Sequence, residues 1–527
     1  MKQSNSRTVV ILLVLLAVSG LIFHASLFWR YTVDDAFISF RYARNLVQGY
    51  GLVFNPGERV EGYTNFLWTI IHAMLLNGGL EPELWAKFLN LAFALGTMIL
   101  IWRLSQVWGH GVRGVSTIAL FFWASAGAVA VAVAAGLETH FFTFLTTLGI
   151  YLYSVSPISS RRMAASIITF SIASLVRPEG LLFLAVTGVH YMCNCSGGRK
   201  RFWLFILPVI LIAPFVAWKL FYYGTPVPNT FSAKTGGGWH QLNRGFGYIK
   251  GFVNEYGKPA LFFFAFIPYL RNLSNRIRSY SFALLLLYLV YIVISGGDWI
   301  PHYRFLLPVF PLIYLSIQDG FIAVWDSILC HHGRISRWSK IGFTGLLAII
   351  LFDIANQSHY LKLHTDMWAN GYEHAHRAVG EWLSENGDSD ETAALMDVGL
   401  IGYITPMRIL DITGLTDPYI AAAPGGFLKK SYPLDYLFRR NPEFIILVSA
   451  SDYPNDSFGT SFEIDRSIFN DERFHDRYEF IFSRDAYVTR VPHISGYYLL
   501  VFRRRTQEMN TDGMLNKPQV SPDPTDG

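Results

Sequence analysis

Two adjacent acids, Asp34 and Asp35, sit near the start of the stretch YTVDDAFISFRYARNLVQGYGLVFNPGERVEGYTNFLW, residues 31–68, directly after an apolar segment. Like charges side by side raise each other's pKa, which favours proton transfer near neutral pH. One of them could instead cap a helix, because an Asp ahead of the amphipathic run 36–47 would accept from free backbone N–H groups. A cap accounts for one acid and leaves the other available as a general base. A bare connector between two apolar segments needs neither acid, nor the three arginines that follow them.

Further acids and cations recur in later loops. GLETHFF (136–142) places Glu138 at the mouth of an apolar span, where it either complements the helix dipole or takes part in chemistry. RPEG, YGTPVPNTFSAKTGGG and GGDWIPHYRF contribute Arg177, Lys234, and His302 with Arg304. Arginine meets phosphate oxygens with two parallel donors and lysine meets them as a point charge. These four therefore form a candidate phosphate site, against the blander reading of side chains snorkelling to lipid headgroups. Tyr63, Trp68 and Trp299 are either interfacial-belt aromatics or stacking surfaces for a sugar. Asp298 is either a turn acid after Gly296-Gly297 or part of the sugar site.

The elements that must position these groups follow from composition. The chain has 527 residues, 52% hydrophobic and only 15% charged, against roughly 25% charged in soluble proteins. Mean hydropathy is +0.31. Apolar runs near the 20 or so residues needed to cross a bilayer recur through the first two thirds. The expected architecture is a polytopic α-helical membrane protein with about 11 spans: 8–28, 84–104, 114–135, 139–156, 163–176, 180–193, 202–222, 256–270, 279–296, 304–325 and 340–357. The first follows Lys2 and Arg7 and resembles a signal peptide, but its length and lack of a cleavage site favour a retained helix. Segment 65–80 reads as a helix dipping into the outer leaflet. With that choice every alternate loop is basic, which places the N-terminus in the cytoplasm and the chemistry-bearing loops outside. The net charge of +5 thus reports topology, and nucleic acid is excluded as a partner. Cys193, Cys195 and Cys330 fall at the inner side, where no disulfide is expected.

Three regions result: a transmembrane domain, 1–357, whose first outer loop is 30–82; an extracytoplasmic α/β domain, 358–505; and a disordered tail, 506–527. In the second, a helix at 373–386 precedes strand-length runs at 392–396, 408–412, 443–448 and 497–502. The tail is polar and lacks aromatics.

The first-loop string, with GLET, RPEG, YGTPVPNTF, GGDW…HYRFLLPVFP, VGLIGY and LDITGLTDP, resembles the GT-C superfamily of membrane glycosyltransferases. The likeness is strongest to the branch containing the mycobacterial terminal β-(1→2)-arabinofuranosyltransferase, over roughly residues 1–420. It implies an inverting transferase of a bacterial inner membrane that takes a sugar from a polyprenyl-phosphate donor to a cell-envelope glycan or glycolipid. It also implies that an acid of the first outer loop activates the acceptor, a role falling on Asp34 and Asp35, with Asp34 the one whose loss is expected to abolish transfer. The residues agree by a separate route. No Gly-rich phosphate loop precedes a helix in the C-terminal domain, and an outward site lacks nucleotide sugars. A lipid-linked donor carries a competent phosphate leaving group, so a base and nearby cations suffice. No cofactor is demanded, and a divalent cation is left open. The alternative is a lipid-linked sugar transporter or flippase, which would place ionisable groups near mid-membrane and show repeated halves.

Overall fold

The apolar runs fold as helices because backbone polar groups in lipid must be satisfied within the segment itself. The computed structural model describes residues 2–110, 117–155, 159–194, 199–300, 302–332, 337–454, 459–460, 462–486 and 496–505. Among them, five helices are long and apolar enough to cross a membrane: Thr8–Ser26, Pro82–Gly109, Phe202–Tyr223, Arg276–Ser295 and Arg304–Ser327. Phe66–Asn77, Gly180–Asn194 and Leu261–Arg271 are apolar but shorter. The 12 residues of Phe66–Asn77 rise only about 18 Å, well short of a roughly 30 Å hydrocarbon core.

Two expected spans differ in form. The run 114–135 is broken at Ala126 into Ile118–Ser125 and Gly127–Ala134, and every residue of the second helix is buried inside the bundle. The polar groups at such a break need partners, and His24 Nδ1 lies 3.0 Å from the carbonyl of Ala124 while Nε2 lies 2.7 Å from Ser358 Oγ. The run 340–357 belongs to a helix of 35 residues, Arg337–Gly371, which continues through the wider turn Tyr372–Arg377 into Ala378–Asn386. The expected boundary at 357/358 therefore falls inside a helix. Apolarity falls there, but helical periodicity does not, and one element serves both bundle and C-terminal domain. The RPEG hairpin forms as its proline dictates: Ser160–Val176 ends at Arg177, whose backbone is extended, and Gly180–Asn194 starts afresh.

The C-terminal domain is built on a five-stranded sheet, β1 (Thr392–Leu395), β2 (Arg408–Asp411), β3 (Phe444–Ser449), β4 (Tyr478–Asp485) and β5 (Tyr498–Arg504), in the order β2-β1-β3-β5-β4. β1 pairs in parallel with β2 and β3, while β5 runs antiparallel to β3 and β4. Four of the strands coincide with the hydrophobic runs. β4 was not expected, since it is an edge strand whose burial alternates and which carries Glu479, Arg484 and Asp485. The core of this domain includes Ile38, Tyr42, Leu52, Phe54 and Tyr63 from the first loop. The loop and the domain, separate in sequence, therefore share one core. The expected tail at 506–527 lies outside the described residues.

Candidate active site

The helix Asp34–Val47 aligns the first loop with the C-terminal domain. Neither acid caps its own helix, whose N-cap position is Val33 without a side-chain bond. Asp34 instead accepts from the backbone N–H groups of Gly399 (2.9 Å) and Leu400 (2.7 Å), one on each carboxylate oxygen. Those groups open the short helix Leu400–Ile404. Two turns on, Arg41 donates to the carbonyl of Gly402, and Arg44 donates to that of Tyr403. A carboxylate at one end of the short helix and guanidiniums at the other complement its dipole. Only glycine fits at 399, since an added Cβ would stand 2.0 Å from the Asp34 carbonyl oxygen.

The rest of the loop docks by backbone pairing. Asn55 accepts from the N–H of Ile409 (3.0 Å) and donates to its carbonyl (2.9 Å), extending the free edge of β2. The Tyr42 hydroxyl donates to Val60 O (2.7 Å) and accepts from Gly62 N (2.8 Å). Tyr63, expected at a sugar, is buried with its ring 4.8 Å from that of Tyr42 and its hydroxyl 3.1 Å from that of Tyr223. It packs the domain core and does not line the cavity. Trp68 is likewise fully buried, donating to Gly136 O at 3.1 Å.

Between bundle and C-terminal domain lies a cavity of about 810 Å³ that brings together Asp34, Asp35, Asp298, Trp299 and His302. Aromatic rings, among them Tyr248, Tyr360, Trp368 and Tyr497, form much of its wall. Asp35 is half-buried, and among the described residues its carboxylate has no hydrogen-bond partner. Burial holds this carboxyl above the usual range; Lys234 and Arg304 pull it back down, and Asp298 and Glu138 push it up.

The turn Gly296-Gly297, with φ of 84° and 70°, delivers Asp298 to the wall. Asp298 is paired with Arg304, which donates through Nε and, at 3.4 Å, through Nη2. His302 and Tyr303 follow with φ of 78° and 57°, a conformation that non-glycine residues take at a cost. His302 Nε2 is buried without a partner among the described residues. Burial, helped by His364, pushes the His302 pKa down to about 3. The imidazole is thus neutral at physiological pH, a hydrogen-bonding group rather than the cation the sequence pattern implied.

Arg177 and Glu138 lie behind the cavity wall. Arg177 sits 3.4 Å from Glu138 and 3.0 Å from Glu179, and Glu179 also accepts from the Tyr291 hydroxyl at 2.7 Å. Glu138 accepts from Asn65 at 2.8 Å, and Asn65 accepts from Ser39 of the first-loop helix at 3.1 Å. This network supports that helix from beneath, and its charges are already shared. Lys234 differs: its ammonium lies 5.5 Å from the centre of the Phe427 ring, and no carboxylate is within ion-pair distance among the described residues.

One constellation escaped the sequence reading. Asp397, two residues beyond β1, takes both His376 Nε2 (2.9 Å) and the Tyr497 hydroxyl (2.7 Å) on its Oδ2. The three come from distant stretches, so no local spacing marks them. An acid just past the carboxyl end of a parallel strand was the signal available. Burial and the nearby Asp397 raise the Asp34 carboxyl above its ordinary range, opposed by His376. Among the described residues no three His, Cys, Asp or Glu side chains are grouped to hold a metal ion.

Comparison with known proteins adds to this picture. A family described as a domain of unknown function (DUF8728) matches residues 365–502. A terminal β-(1→2)-arabinofuranosyltransferase of Mycobacterium tuberculosis is 28% identical over 249 residues, 43% of this chain and 38% of that protein. One from Corynebacterium glutamicum is 26% identical over 349 residues, 54% of this chain and 47% of that protein. The matched stretch spans less than half the length of either relative. Among solved structures, ArnT from Cupriavidus metallidurans bound to undecaprenyl phosphate superposes with a TM-score of 0.51 at 13% identity, covering 83% of this chain and 92% of ArnT. At that identity the likeness concerns the fold. The chain thus shares with ArnT a fold of apolar helices carrying a C-terminal sheet domain, and its sequence is similar to that of terminal β-(1→2)-arabinofuranosyltransferases.

Proposed function

We propose that the chain is an inverting membrane glycosyltransferase that moves a sugar from a polyprenyl-phosphate donor to a glycan or glycolipid acceptor. The observation that carries this reading is Asp35: a carboxylate without a hydrogen-bond partner among the described residues, lining an aromatic-walled cavity, with Lys234 and Arg304 close enough to act on its charge. In the reaction, Asp35 takes the proton of the acceptor hydroxyl as that oxygen bonds to the anomeric carbon. The bond from that carbon to the phosphate oxygen breaks on the opposite face, and the electron pair leaves with polyprenyl phosphate. Lys234 and Arg304 stabilise the charge that develops there. Asp34 serves a different end, since both of its oxygens already hold the C-terminal domain in place.

The alternation of basic loops supports an outward-facing site in a bacterial inner membrane, and the shared core of first loop and C-terminal domain puts both at one end of the bundle. An impermeant thiol reagent should label a cysteine introduced in the C-terminal domain of intact cells but not one at position 199; the reverse pattern overturns the orientation. For the activity, membranes containing the protein are assayed against radiolabelled polyprenyl-phosphate sugars. Transfer from one of them, with inversion at the labelled carbon, is expected. Absence of transfer from every donor in the panel would count against the reading.

A further inference from the structure

We infer that Asp397, held by His376 and Tyr497, is the carboxylate that receives a hydroxyl of the incoming acceptor sugar, so that the domain of unknown function contributes directly to acceptor recognition. This rests on the reading of the chain as a glycosyltransferase and names the substrate contact within it.

Three observations converge on Asp397. It lines the cavity that Asp35 also lines, together with its neighbours Met396 and Val398. Its two protein donors, His376 Nε2 and the Tyr497 hydroxyl, both go to Oδ2, so Oδ1 has no hydrogen bond among the described residues. Its side chain is 22% exposed while that of His376 is 1% exposed, so the open oxygen faces the cavity and its orienting partner does not. A carboxylate oxygen without a donor in a largely dehydrated space is unfavourable, and a ligand hydroxyl removes that penalty. Because two donors already set the rotamer, little side-chain freedom is lost on binding.

Charge decides which substrate goes there. Lys234 and Arg304 act on Asp35, and a donor phosphate is drawn to that side. Asp397 instead takes both of its protein hydrogen bonds from His376 and Tyr497, and among the described residues no lysine or arginine joins it in the cavity lining, a setting that suits a neutral polyol. The Trp368 ring, 6.4 Å from that of Tyr497, offers an apolar face beside the carboxylate for a sugar ring. Asp34, Asp35 and Asp397 all line this one cavity.

The test uses the full-length protein in detergent with a short-chain polyprenyl-phosphate arabinofuranose as donor. The acceptors are a synthetic arabinofuranosyl oligosaccharide and its single-deoxy analogues. Asp397→Asn should raise the acceptor KM about 10- to 100-fold, as expected for loss of a hydrogen bond to a charged group, with donor KM within about twofold. One deoxy analogue should bind the wild type as poorly as it binds Asp397→Asn, because both lack the same contact. An unchanged acceptor KM, or equal losses for donor and every acceptor, would overturn the assignment in favour of a packing role. Should Asp397→Asn not fold, Tyr497→Phe keeps the carboxylate but loosens it. The acceptor KM must then rise severalfold with donor KM unchanged, and no rise refutes the proposal. Acceptor binding is read in parallel from quenching of tryptophan fluorescence. A wild type that binds acceptor but transfers nothing from this donor or from any other of the panel would defeat the enzyme reading alone, leaving the Kd of Asp397→Asn to decide this contact.

Discussion

The two walls of the cavity handle charge in opposite ways. On the bundle side, cations and acids are paired: Asp298 with Arg304, and Arg177 with Glu138 and Glu179. On the C-terminal side, acids are held by neutral or weakly basic groups: Asp34 by two backbone N–H groups, Asp397 by His376 and Tyr497. No lysine or arginine lines the cavity among the described residues. Under the proposed function the difference separates two kinds of recognition, a phosphate met by Arg304 from behind one wall and a neutral polyol bound along the other. It also separates two neighbours in sequence: Asp34 belongs to the second wall and Asp35 stands free between them.

The comparison breaks most readily at that pair. Asp35→Asn should reduce transfer by about 10²–10⁴-fold, the usual contribution of a general base, with expression and melting unchanged. Asp34→Asn should retain most of its turnover and lose roughly 1 kcal/mol of stability, as for a weakened helix cap. If steady-state kinetics and melting curves on the two variants show the reverse order, the assignment of the walls is wrong.

Next in size is the bundle-side cation. Arg304→Lys keeps the charge but loses the fork that grips Asp298 and that, in the proposed reaction, meets the departing phosphate. A drop in kcat of about tenfold with little change in donor KM is expected, because the contact strengthens as the phosphate leaves. Equal kcat and KM for wild type and variant would leave Arg304 as a purely structural partner of Asp298.

A smaller effect should come from pH. Asp465 is fully buried beside β3, accepts from Val448 N at 2.9 Å and has no partner on its second oxygen among the described residues; burial pushes its pKa up to about 8. The folded state therefore holds a proton that the unfolded chain, with an aspartate pKa of about 3.9, releases. Its contribution to stability is complete below about pH 4 and is lost as pH rises through about 8. Melting temperatures measured from pH 5 to pH 9 should fall toward the alkaline end, and Asp465→Asn should flatten that fall. A variant with the wild-type slope would show that other groups govern it.

The smallest change is expected at Tyr63. Tyr63→Phe removes one hydroxyl contact, to Tyr223, from a packed core, so stability should fall by about 0.5–1.5 kcal/mol with both KM values unaltered. A raised KM for donor or acceptor would bring this ring back to the sugar site.

Much of the fold is written in short-range pattern. Apolar length and composition mark the helices, Pro178 ends the helix before it, and four buried strands announce themselves as hydrophobic runs, because each depends on neighbours within a few residues. The site is legible as a set of candidates but not as roles. Read from the sequence, Asp34 is the expected base; what moves the proposed role to Asp35 is a pair of backbone N–H groups, 365 and 366 positions away, that occupy Asp34. Glu138 and Arg177 read as candidate reactive groups until the fold buries them together, and Tyr63 reads as a surface ring until the C-terminal domain closes over it. Asp397 carries only the weak signal of an acid past a strand end, and His376 and Tyr497 carry none, because their grouping exists only after the sheet and the long helix have met. Sequence thus determined the apolar helices, four of the five strands and which residue types are available for chemistry. Burial and charge neighbours, which decide whether a carboxylate is a cap, an ion-pair partner or a free base, are set by contacts hundreds of residues apart, and only the tertiary structure decided them.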